Sequence, residues 1–465
     1  MRSLIPALLA LSACTTAPEP QAAVDGPLSV VDRRMVDALG REVLLRGINA
    51  RVRGLFDVTF DDGRQELETI PVFTGEDCAF LSTQLGLNAL RLPVNWSAVE
   101  PVRGEYDQGY LDAITTLVDA CAQAHVWVLV DLHQDAFSKE VGEDGAPLWA
   151  ILPPPTPDQL LEGPLDDLGS RRMSGVVLSA FESLWSDVDG LVGAYADMAA
   201  HLASAIEGHE GTAGIELMNE PVIFSSPERL DDFHARVGEA VAAAAPSLPI
   251  FFEPNSIRNL VDVAPVNTPV PFGNAVYAPH VYTDVFEDGW ASEDELAVHT
   301  SVAAARDEAD QHHAALFVGE FGADPSSERG NHYTRTALDA YDEVVAGWSY
   351  WVYEEQSQGS WGLYDPPTDG GSRGALRGPV YDVLARPYPR AVDGHIASIA
   401  WDADTKRLTV GLTGAGEGLH QITRPLRTWP DAVLATCDGE ATEVTDRGAW
   451  TDVACAGKTL VVEPG

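Results

Sequence analysis

Two glutamates in the sequence each interrupt an apolar run. Glu220 lies in IELMNEPV, and Glu320 lies in LFVGEFG. Pro221 cannot extend a strand ladder, and it restricts the residue before it, so the first run stops where its acid stands. Such a stop marks either a tight turn and nothing more, or a carboxyl group held at the mouth of a barrel.

Two carboxyl groups that flank one bond can hydrolyse a sugar acetal. One protonates the leaving oxygen, and the other attacks the anomeric carbon or activates water. Their surroundings must differ, so that one keeps its proton near neutral pH while the other is ionised. We expect Arg91 and the ring N–H of His280 to hold Glu320 as the anion. Asn219, beside Glu220, could bond the sugar hydroxyl next to the reacting carbon.

The chain around these acids alternates strand and helix signals, which is typical of an α/β domain with a parallel sheet. Amphipathic or Ala-rich stretches separate the apolar runs. Eight repeats without a Gly-rich phosphate loop favour a closed (β/α)8 TIM barrel over a doubly wound sheet. The strand candidates are 43–48, 89–92, 127–131, 214–218, 250–253, 275–278, 315–319 and 347–350.

Polar and aromatic side chains recur where the predicted strands end. In a TIM barrel the loops at these ends form the active-site face, so acids on the fourth and seventh strands would flank one bound ring. Each residue alone has a structural explanation, such as a helix cap or a core position, but the combination favours catalysis. The residues at the ends of the eight predicted strands are, in order, Asn49, Arg91, His133, Asn219 with Glu220, Glu253, His280, Glu320 and Trp351.

The remaining segments divide the chain further. Residues 136–180 form an insertion rich in Pro, Gly and acids, which we expect to be an ordered lid. From about 388 onward short alternating runs separated by turns predict a β-sandwich. We therefore predict a barrel at 28–387 and a sandwich at 388–465, with a hairpin at 30–43 that could close the barrel floor.

The ends and the charge of the chain indicate an exported protein. The chain has 29 basic and 71 acidic residues among 465, a net charge of −42, which should repel nucleic acid and anionic lipid. The N-terminal LSAC resembles the lipobox of bacterial lipoproteins, which implies a signal peptide at 1–14 that ends at a lipidated Cys14 and a tether at 15–27. Stable anchoring would need more than one acyl chain. The expected location is the cell envelope, at the outer membrane or cell surface; an ordinary secretory signal is the alternative.

Four cysteines remain after Cys14, an even number in an exported chain. Cys437 and Cys455 are neighbours in the strand-rich tail, while Cys78 and Cys121 lie in consecutive helical stretches. We expect these two pairs among the three possible pairings. The thiols are widely spaced and no CxxC occurs in the sequence, so we predict no metal site, and the chemistry needs no cofactor.

The motifs RGIN, LRLPVNW, DLHQD, LMNEP, APHVY, VGEFG and GWSYWVYE, in this order, resemble glycoside hydrolase family 5, the cellulase-like retaining glycosidases on TIM barrels. The resemblance runs from about residue 30 to 364. DLHQDAFS followed by EDGAPLWA, the helix AFESLWSDVDGLVGAYADMAAHLA and RPYP look like endoglycoceramidases. Those enzymes cut the β-bond between an oligosaccharide and the ceramide of a glycosphingolipid.

The resemblance implies a role for each matching position. Glu220 would be the general acid/base, and Glu320 would be the nucleophile. Arg91, His280 and Tyr282 would orient or polarise the nucleophile. Retention predicts carboxyl groups about 5–5.5 Å apart. The implied sugar contacts are Asp131, His133, Trp185, Asn219 and Trp351, the last as a platform under the ring.

Three functions are compatible with the sequence. The first is a lipid-anchored, monomeric retaining β-glycosidase acting on a glycolipid, which requires an apolar channel from the acids to the surface. The second is a β-glucanase or mannanase, which requires an open cleft with aromatic platforms on both sides. The third is a carbohydrate-binding lipoprotein without turnover. Arg51 and Arg53 stand where the resemblance predicts a lysine, so the glycan headgroup stays open between glucosides, galactosides and longer glycans.

Overall fold

The fold is taken from a computed structural model of the chain. Cys14, most of the predicted tether, Arg51 and Arg53 lie outside the residues that it describes. None of the described helices is both long and apolar enough to cross a membrane. The described residues are 24, 26–50, 73–162, 168–286, 289–354, 361–365, 374–414, 416 and 418–465.

The strands fall into one closed barrel and two open sheets. They are, in chain order, β1 (Ser29–Val31), β2 (Arg34–Val36), β3 (Glu42–Val43), β4 (Arg46–Asn49), β5 (Ala89–Val94), β6 (Trp127–Leu132), β7 (Thr212–Glu216), β8 (Ile250–Phe252), β9 (Ala275–Tyr277), β10 (Ala315–Phe321), β11 (Gly347–Tyr350), β12 (Pro389–Val392), β13 (His395–Asp402), β14 (Arg407–Thr413), β15 (Leu419–Thr423), β16 (Val433–Cys437), β17 (Glu440–Ala441), β18 (Val444–Asp446), β19 (Trp450–Ala454) and β20 (Thr459–Pro464).

The helices occupy most of the connections between barrel strands. They are α1 (Gly75–Phe80), α2 (Trp96–Val99), α3 (Gln108–Gln123), α4 (Pro157–Glu162), α5 (Leu168–Arg172), α6 (Gly175–Trp185), α7 (Leu191–Ile206), α8 (Glu228–Ala244), α9 (Arg258–Val261), α10 (Ser292–Gln311), α11 (Glu328–Glu343) and α12 (Gly378–Leu384).

Strands β4 to β11 pair in parallel, in sequence order, and β11 closes on β4. This is the predicted TIM barrel. The strands are buried on both faces, which is why they read as apolar runs. On β6 the side chains alternate: Val128 and Val130 pack with the outer helices, while Trp127 and Leu129 fill the barrel interior. Asp131 follows at the interior position nearest the strand end, where the lining becomes polar.

The predicted strand at 43–48 is two strands. Glu42–Val43 pairs antiparallel with β12 of the C-terminal region, and Arg46–Asn49 is the first barrel strand. The predicted hairpin is β1 and β2, which packs Met35 against the barrel interior and therefore covers the floor. It also continues into the C-terminal sheet, whose strand order is β1-β2-β3-β12-β15-β19-β18. Strand pairing thus joins the first described strands to the C-terminal region.

A second antiparallel sheet, in the order β13-β14-β20-β16-β17, packs on the first around a shared apolar cluster. A disulfide joins Cys437 of this sheet to Cys455, the residue after β19, and so ties the two sheets together. The other disulfide joins Cys78 of α1 to Cys121 of α3. Both pairings are those expected from the sequence.

Candidate active site

Glu220 is held on a sharp turn after the fourth barrel strand. Strand β7 ends at Glu216, and the chain reaches Glu220 with a φ of +39°, a conformation that is costly for a residue with a side chain. The side-chain amide of Gln134 donates to the carbonyls of Asn219 (2.7 Å) and Glu220 (3.0 Å). The Glu220 N–H donates to a carboxylate oxygen of Glu253 at 3.1 Å. The proline stop thus marks a backbone turn that fixes a carboxyl group.

Glu320 lies within the seventh barrel strand, beside a bulge. Three residue steps from Val318 to Phe321 on β10 match two steps on β11, and bulges of this kind commonly redirect a side chain next to an active site. Gly319 is required by close packing, since a Cβ there would lie 2.9 Å from Nε2 of His280.

The two glutamates face one another. Their side chains belong to one buried cluster with His280, in which one carboxylate oxygen of Glu220 and one of Glu320 lie within 4.8 Å of each other. Only 7% of Glu220 and 5% of Glu320 is exposed. This separation fits a retaining pair, whose carboxyl groups are about 5–5.5 Å apart, and is too short for the wider gap of an inverting pair.

Arg91 is the central cation beneath the site. Its fully buried guanidinium contacts Glu320 at 2.7 Å and Glu216 at 2.7 Å, with Asp131 and Glu253 slightly farther away. The surrounding carboxylates raise its pKa further, although burial opposes this. A permanently charged guanidinium therefore compensates a group of buried acids and orients the Glu320 carboxylate.

Tyr282 and His280 complete the surroundings of Glu320. The Tyr282 hydroxyl donates to Oε2 of Glu320 at 2.8 Å. Nδ1 of His280 lies 2.9 Å from Oε1 of Glu220 and 3.4 Å from Oε2 of Glu320, while its Nε2 lies 3.1 Å from Glu253. Burial disfavours its charge, but Glu253 and Glu320 raise the pKa of His280 well above its ordinary value. Nδ1 of His280 thus faces both glutamates rather than Glu320 alone.

The pKa shifts of the two glutamates run in the directions opposite to those expected for an acid at Glu220 and an anion at Glu320. Burial raises the pKa of Glu320 above its ordinary value, even though His280 and Arg91 oppose that rise. For Glu220, burial acts the same way, but the charge of Arg172 and the hydrogen bond from His280 outweigh it and lower its pKa to about 2. As expected, His280 and Arg91 both favour the anionic form of Glu320, but burial outweighs them.

Arg172 contributes most to the lowered pKa of Glu220, and it was not among the predicted site residues. It ends α5 in the long insertion, and its Nη2 lies 2.6 Å from Oε2 of Glu220. Asn259 donates to the other oxygen, Oε1, at 3.2 Å, and this contact was likewise not predicted. Arg172 carries no motif around it, and Asn259 lies in a short helix without a distinctive pattern, so no local signal marks either residue.

The predicted sugar contacts are either exposed to the cavity or bonded within the protein. Trp351 lines the cavity and stacks on His133, with 6.0 Å between ring centroids and 7° between planes, so it is placed to act as a platform. Asn219 uses both ends of its amide within the protein, accepting from Arg91 at 2.9 Å and donating to Gln134 at 2.9 Å. Its contribution in this state is to hold the turn.

Two predicted sugar contacts are bound by protein groups in this structure. Asp131 is fully buried and binds His133 at 2.5 Å and Arg91 at 3.1 Å, so it positions these groups. Trp185 packs against Phe233 in the core, and its indole N–H donates to the Val222 carbonyl at 2.8 Å. The helix that carries Trp185 buries this face, which a helical pattern cannot distinguish from a face turned to a ligand.

A cavity of about 520 Å³ opens from the two glutamates to the surface. Its outer walls are mainly apolar and include exposed side chains: Phe224 is 59% exposed and Phe286 is 70% exposed. The insertion contributes Arg172 and Met173 to one wall, so its described part does border the site. The other apolar and aromatic lining residues are Val222, Ile257, Leu260, Tyr282, Trp351 and Trp361.

Three described clusters of carboxylate and imidazole groups have metal-like spacing. They already have protein cations as partners: Glu253 and Glu320 pair with Arg91, and Asp135 pairs with Arg172 at 2.5 Å. Charge compensation by arginine accounts for these groups. The clusters are His133–Asp135–Asp144, Glu216–Glu253–His280 and Glu220–His280–Glu320.

Comparison with known proteins matches residues 36–357 to the cellulase family, glycosyl hydrolase family 5. The chain is 27% identical to endoglycoceramidase I of Rhodococcus hoagii, over 93% of this chain and 85% of that protein. It is 26% identical to an endoglycoceramidase of Cyanea nozakii, over 81% of this chain and 78% of that one. The lactosyl-enzyme intermediate of endo-glycoceramidase II from Rhodococcus sp. superposes with a TM-score of 0.75 at 25% identity, covering 92% of this chain and 99% of the other.

Proposed function

The chain belongs to glycosyl hydrolase family 5, and from this premise we propose that it cleaves the β-bond between the glycan and the ceramide of glycosphingolipids. The observation that carries the proposal is the pair of facing glutamates at the inner end of an apolar cavity. The names of the relatives, endoglycoceramidases from a bacterium and a jellyfish, point to the same substrate class.

The proposed reaction is a double displacement. The Glu320 carboxylate attacks the anomeric carbon while Glu220 gives its proton to the glycosidic oxygen, so ceramide leaves as an alcohol and the glycan becomes an ester of Glu320. Glu220, now ionised, takes a proton from water, whose oxygen attacks the same carbon and releases the glycan with retained configuration. Arg91 and Tyr282 bind the two oxygens of Glu320 and stabilise the carboxylate that leaves.

The apolar outer cavity suits a lipid as leaving group. Phe224, Phe286 and Leu260 expose hydrocarbon along the path from Glu220 to the surface. Each fully buried side chain of this kind contributes roughly 1.5–3 kcal/mol when a lipid chain covers it. A polysaccharide would also need polar partners for its hydroxyls on this side, and Phe224, Phe286 and Leu260 supply none, so this wall favours glycolipid over glucan or mannan.

The first prediction concerns product identity and this apolar wall. Incubation with lactosylceramide or glucosylceramide in detergent is expected to release the intact glycan and ceramide, identified by mass spectrometry. Phe224→Ser should raise KM for the glycolipid roughly tenfold, because about 1.5 kcal/mol of apolar contact is lost. It should leave the hydrolysis of a water-soluble aryl β-glycoside nearly unchanged.

Leu434→Ser is the matched control for this variant. Leu434 is also a large, 59% exposed apolar residue, but it lies on β16 of the C-terminal sheets. It should leave both activities unchanged. Release of short oligosaccharides from glucan or mannan, with no cleavage of any glycosphingolipid, would contradict the proposed substrate.

We further propose that the protein is a lipoprotein of the cell envelope, anchored through Cys14, and that it acts as a monomer. The support for the anchor is the LSAC sequence and the polar stretch after it. A glycolipid hydrolase held at a surface would meet its substrate at high local concentration. For the monomer, the support is that one closed barrel supplies both glutamates together with the arginines that pair with them.

The second prediction tests the anchor in a bacterial host. The wild-type protein should sediment with membranes and incorporate radiolabelled palmitate, whereas Cys14→Ser should lose the label and appear in the soluble fraction. Thr16→Ser is the control, since it changes a residue close to Cys14 without touching the LSAC motif. Equal palmitate labelling of wild type and Cys14→Ser would exclude Cys14 as the anchor.

A further inference from the structure

Arg172 makes three contacts that join the insertion to the catalytic turn. Its Nε donates to the Asp135 carbonyl at 2.7 Å, and its Nη2 donates to Oδ1 of Asp135 at 2.5 Å. The same Nη2 lies 2.6 Å from Oε2 of Glu220. The guanidinium is therefore fixed by Asp135 and reaches Glu220 with one nitrogen.

The two oxygens of Glu220 have different partners. Oε1 is bound from within the barrel by Asn259 (3.2 Å) and His280 (2.9 Å). Oε2 is bound by Arg172, which lines the cavity with Glu220 and has 21% of its side chain exposed. Since Oε1 is occupied from inside, Oε2 is the oxygen that can meet a glycosidic oxygen. Arg172 and the leaving group of a substrate therefore compete for one position.

We propose that Arg172 is a positioning residue that binds Oε2 of Glu220 while the leaving-group side is empty and moves off it when an aglycone enters. This inference rests on the proposed roles of Glu220 and Glu320, but not on the identity of the aglycone. A small movement suffices, because Nη2 can leave Glu220 while Nε keeps its bond to the Asp135 carbonyl.

Such an exchange matches the opposite needs of the two half-reactions. The first step needs a proton on Glu220, and the cation of Arg172 against Oε2 opposes that proton. The second step needs Glu220 ionised, and the same cation favours that state once the aglycone has left. Arg172 thus favours the acid role of Glu220 when it moves away from Oε2 and the base role of Glu220 when it binds Oε2 again.

Other charged groups also face Glu220, and the experiment must separate Arg172 from them. None of them lies in the insertion helix α5, so a change confined to α5 leaves them in place. They are His280 and Tyr282 after β9, Glu320 on β10, Glu253 after β8 and Asp135 after β6.

The third prediction concerns the pKa of Glu220 in the glycosyl-enzyme, where Glu320 is esterified and does not titrate. A 2,4-dinitrophenyl β-glycoside forms this intermediate without help from an acid, so kcat reports its hydrolysis and the acidic limb of kcat reports Glu220. Arg172→Met should move this limb to higher pH by about one unit or more, since a nearby opposite charge lowers a carboxyl pKa by roughly 1–3 units. The glucoside, galactoside or lactoside that the wild type hydrolyses fastest is the probe.

Arg171→Met is the matched control on the same helix. Arg171 pairs with Glu143 at 2.9 Å and forms no described contact with Glu220. Its acidic limb should coincide with that of the wild type. Coincident limbs for Arg172→Met and wild type would overturn the inference. If the Met variant does not fold, Arg172→Lys is the alternative, because it keeps a cation. The midpoint of its acidic limb should lie between that of the wild type and that expected for a site without this charge. A midpoint above pH 7 in the lysine variant would equally contradict the inference.

A crystal structure of Glu320→Gln with an uncleaved aryl glycoside or glycolipid tests the displacement directly. The separation of Nη2 of Arg172 from Oε2 of Glu220 should exceed 4 Å while the contact with the Asp135 carbonyl remains. An unbroken contact with Glu220 beside a bound leaving group would refute displacement. Because the aryl glycosides contain no ceramide, a failure of the glycosphingolipid proposal leaves this test intact and distinguishable.

Discussion

Glu320→Gln is expected to lower kcat/KM by about 10⁴-fold or more on every β-glycoside, because the amide cannot form the glycosyl-enzyme. Loss of a covalent nucleophile in other enzymes costs up to about 10⁶-fold. The loss should be similar for glycolipids and for dinitrophenyl glycosides, since a better leaving group does not replace an absent nucleophile. Stopped-flow detection of dinitrophenolate should show no burst of one equivalent per enzyme.

The same substitution should cost little stability. It removes one carboxylate from the buried Arg91 guanidinium, which is destabilising, but Glu216, Asp131 and Glu253 remain as partners of Arg91. Its thermal unfolding midpoint should therefore fall only slightly below that of the wild type. Glu343→Gln, an exposed carboxylate on α11, is the control for the chemical change alone and should retain full activity. Full activity in Glu320→Gln would exclude it as nucleophile.

The barrel could be predicted because its signals are local. Each parallel strand is buried on both faces, so its sequence is a short apolar run, and a polar residue appears where the run meets a loop. Strand β11 has the predicted bounds, and β6 extends only one residue farther. The positions of Glu220 and Glu320 at the active-site end follow from this rule.

The first predicted strand was less accurate for a physical reason. A run of apolar residues indicates burial, not the partner that buries it. Residues 42–43 pair with β12, almost 350 positions later in the chain, and residues 46–49 enter the barrel. No local pattern encodes such a long-range pairing.

The roles of individual side chains could not be predicted without their tertiary contacts. Asp131 stands in a motif that implies sugar binding, yet its burial leaves it contacts only to His133 and Arg91 among the partners described. Trp185 shares the helical spacing of a lining residue, but its indole is bonded inside the core. Periodicity identifies a buried face, and only tertiary packing decides whether that face meets protein or ligand.

Protonation was the least predictable property. The sequence contains the cations near Glu320, but the insertion places Arg172 on Glu220, and a contact between separate loops has no sequence period. Charge at contact distance determines which acid ionises first. The resting site therefore favours the anion on the residue that must later act as an acid.

Glu220→Gln should lower kcat/KM on glycolipids by about 10²–10⁴-fold, the usual contribution of a general acid. With a 2,4-dinitrophenyl glycoside, whose leaving group needs no proton, formation of the glycosyl-enzyme should be nearly normal, and its hydrolysis should become slow. Burst kinetics should therefore appear in this variant. Azide, which attacks without a general base, should accelerate turnover and give the β-glycosyl azide.

Glu220→Gln should also differ from Glu320→Gln in stability. It removes one of the two carboxylates that compensate the partly buried Arg172 guanidinium, and loss of a partner from such an ion pair is destabilising. The unfolding midpoint should fall for Glu220→Gln, and a second change, Arg172→Met, should restore part of the loss. Formation of the β-glycosyl azide by Glu320→Gln, with no azide rescue of Glu220→Gln, would exchange the two roles, because the β-azide comes from interception of the ester, whereas direct attack of azide on the substrate gives the α-azide.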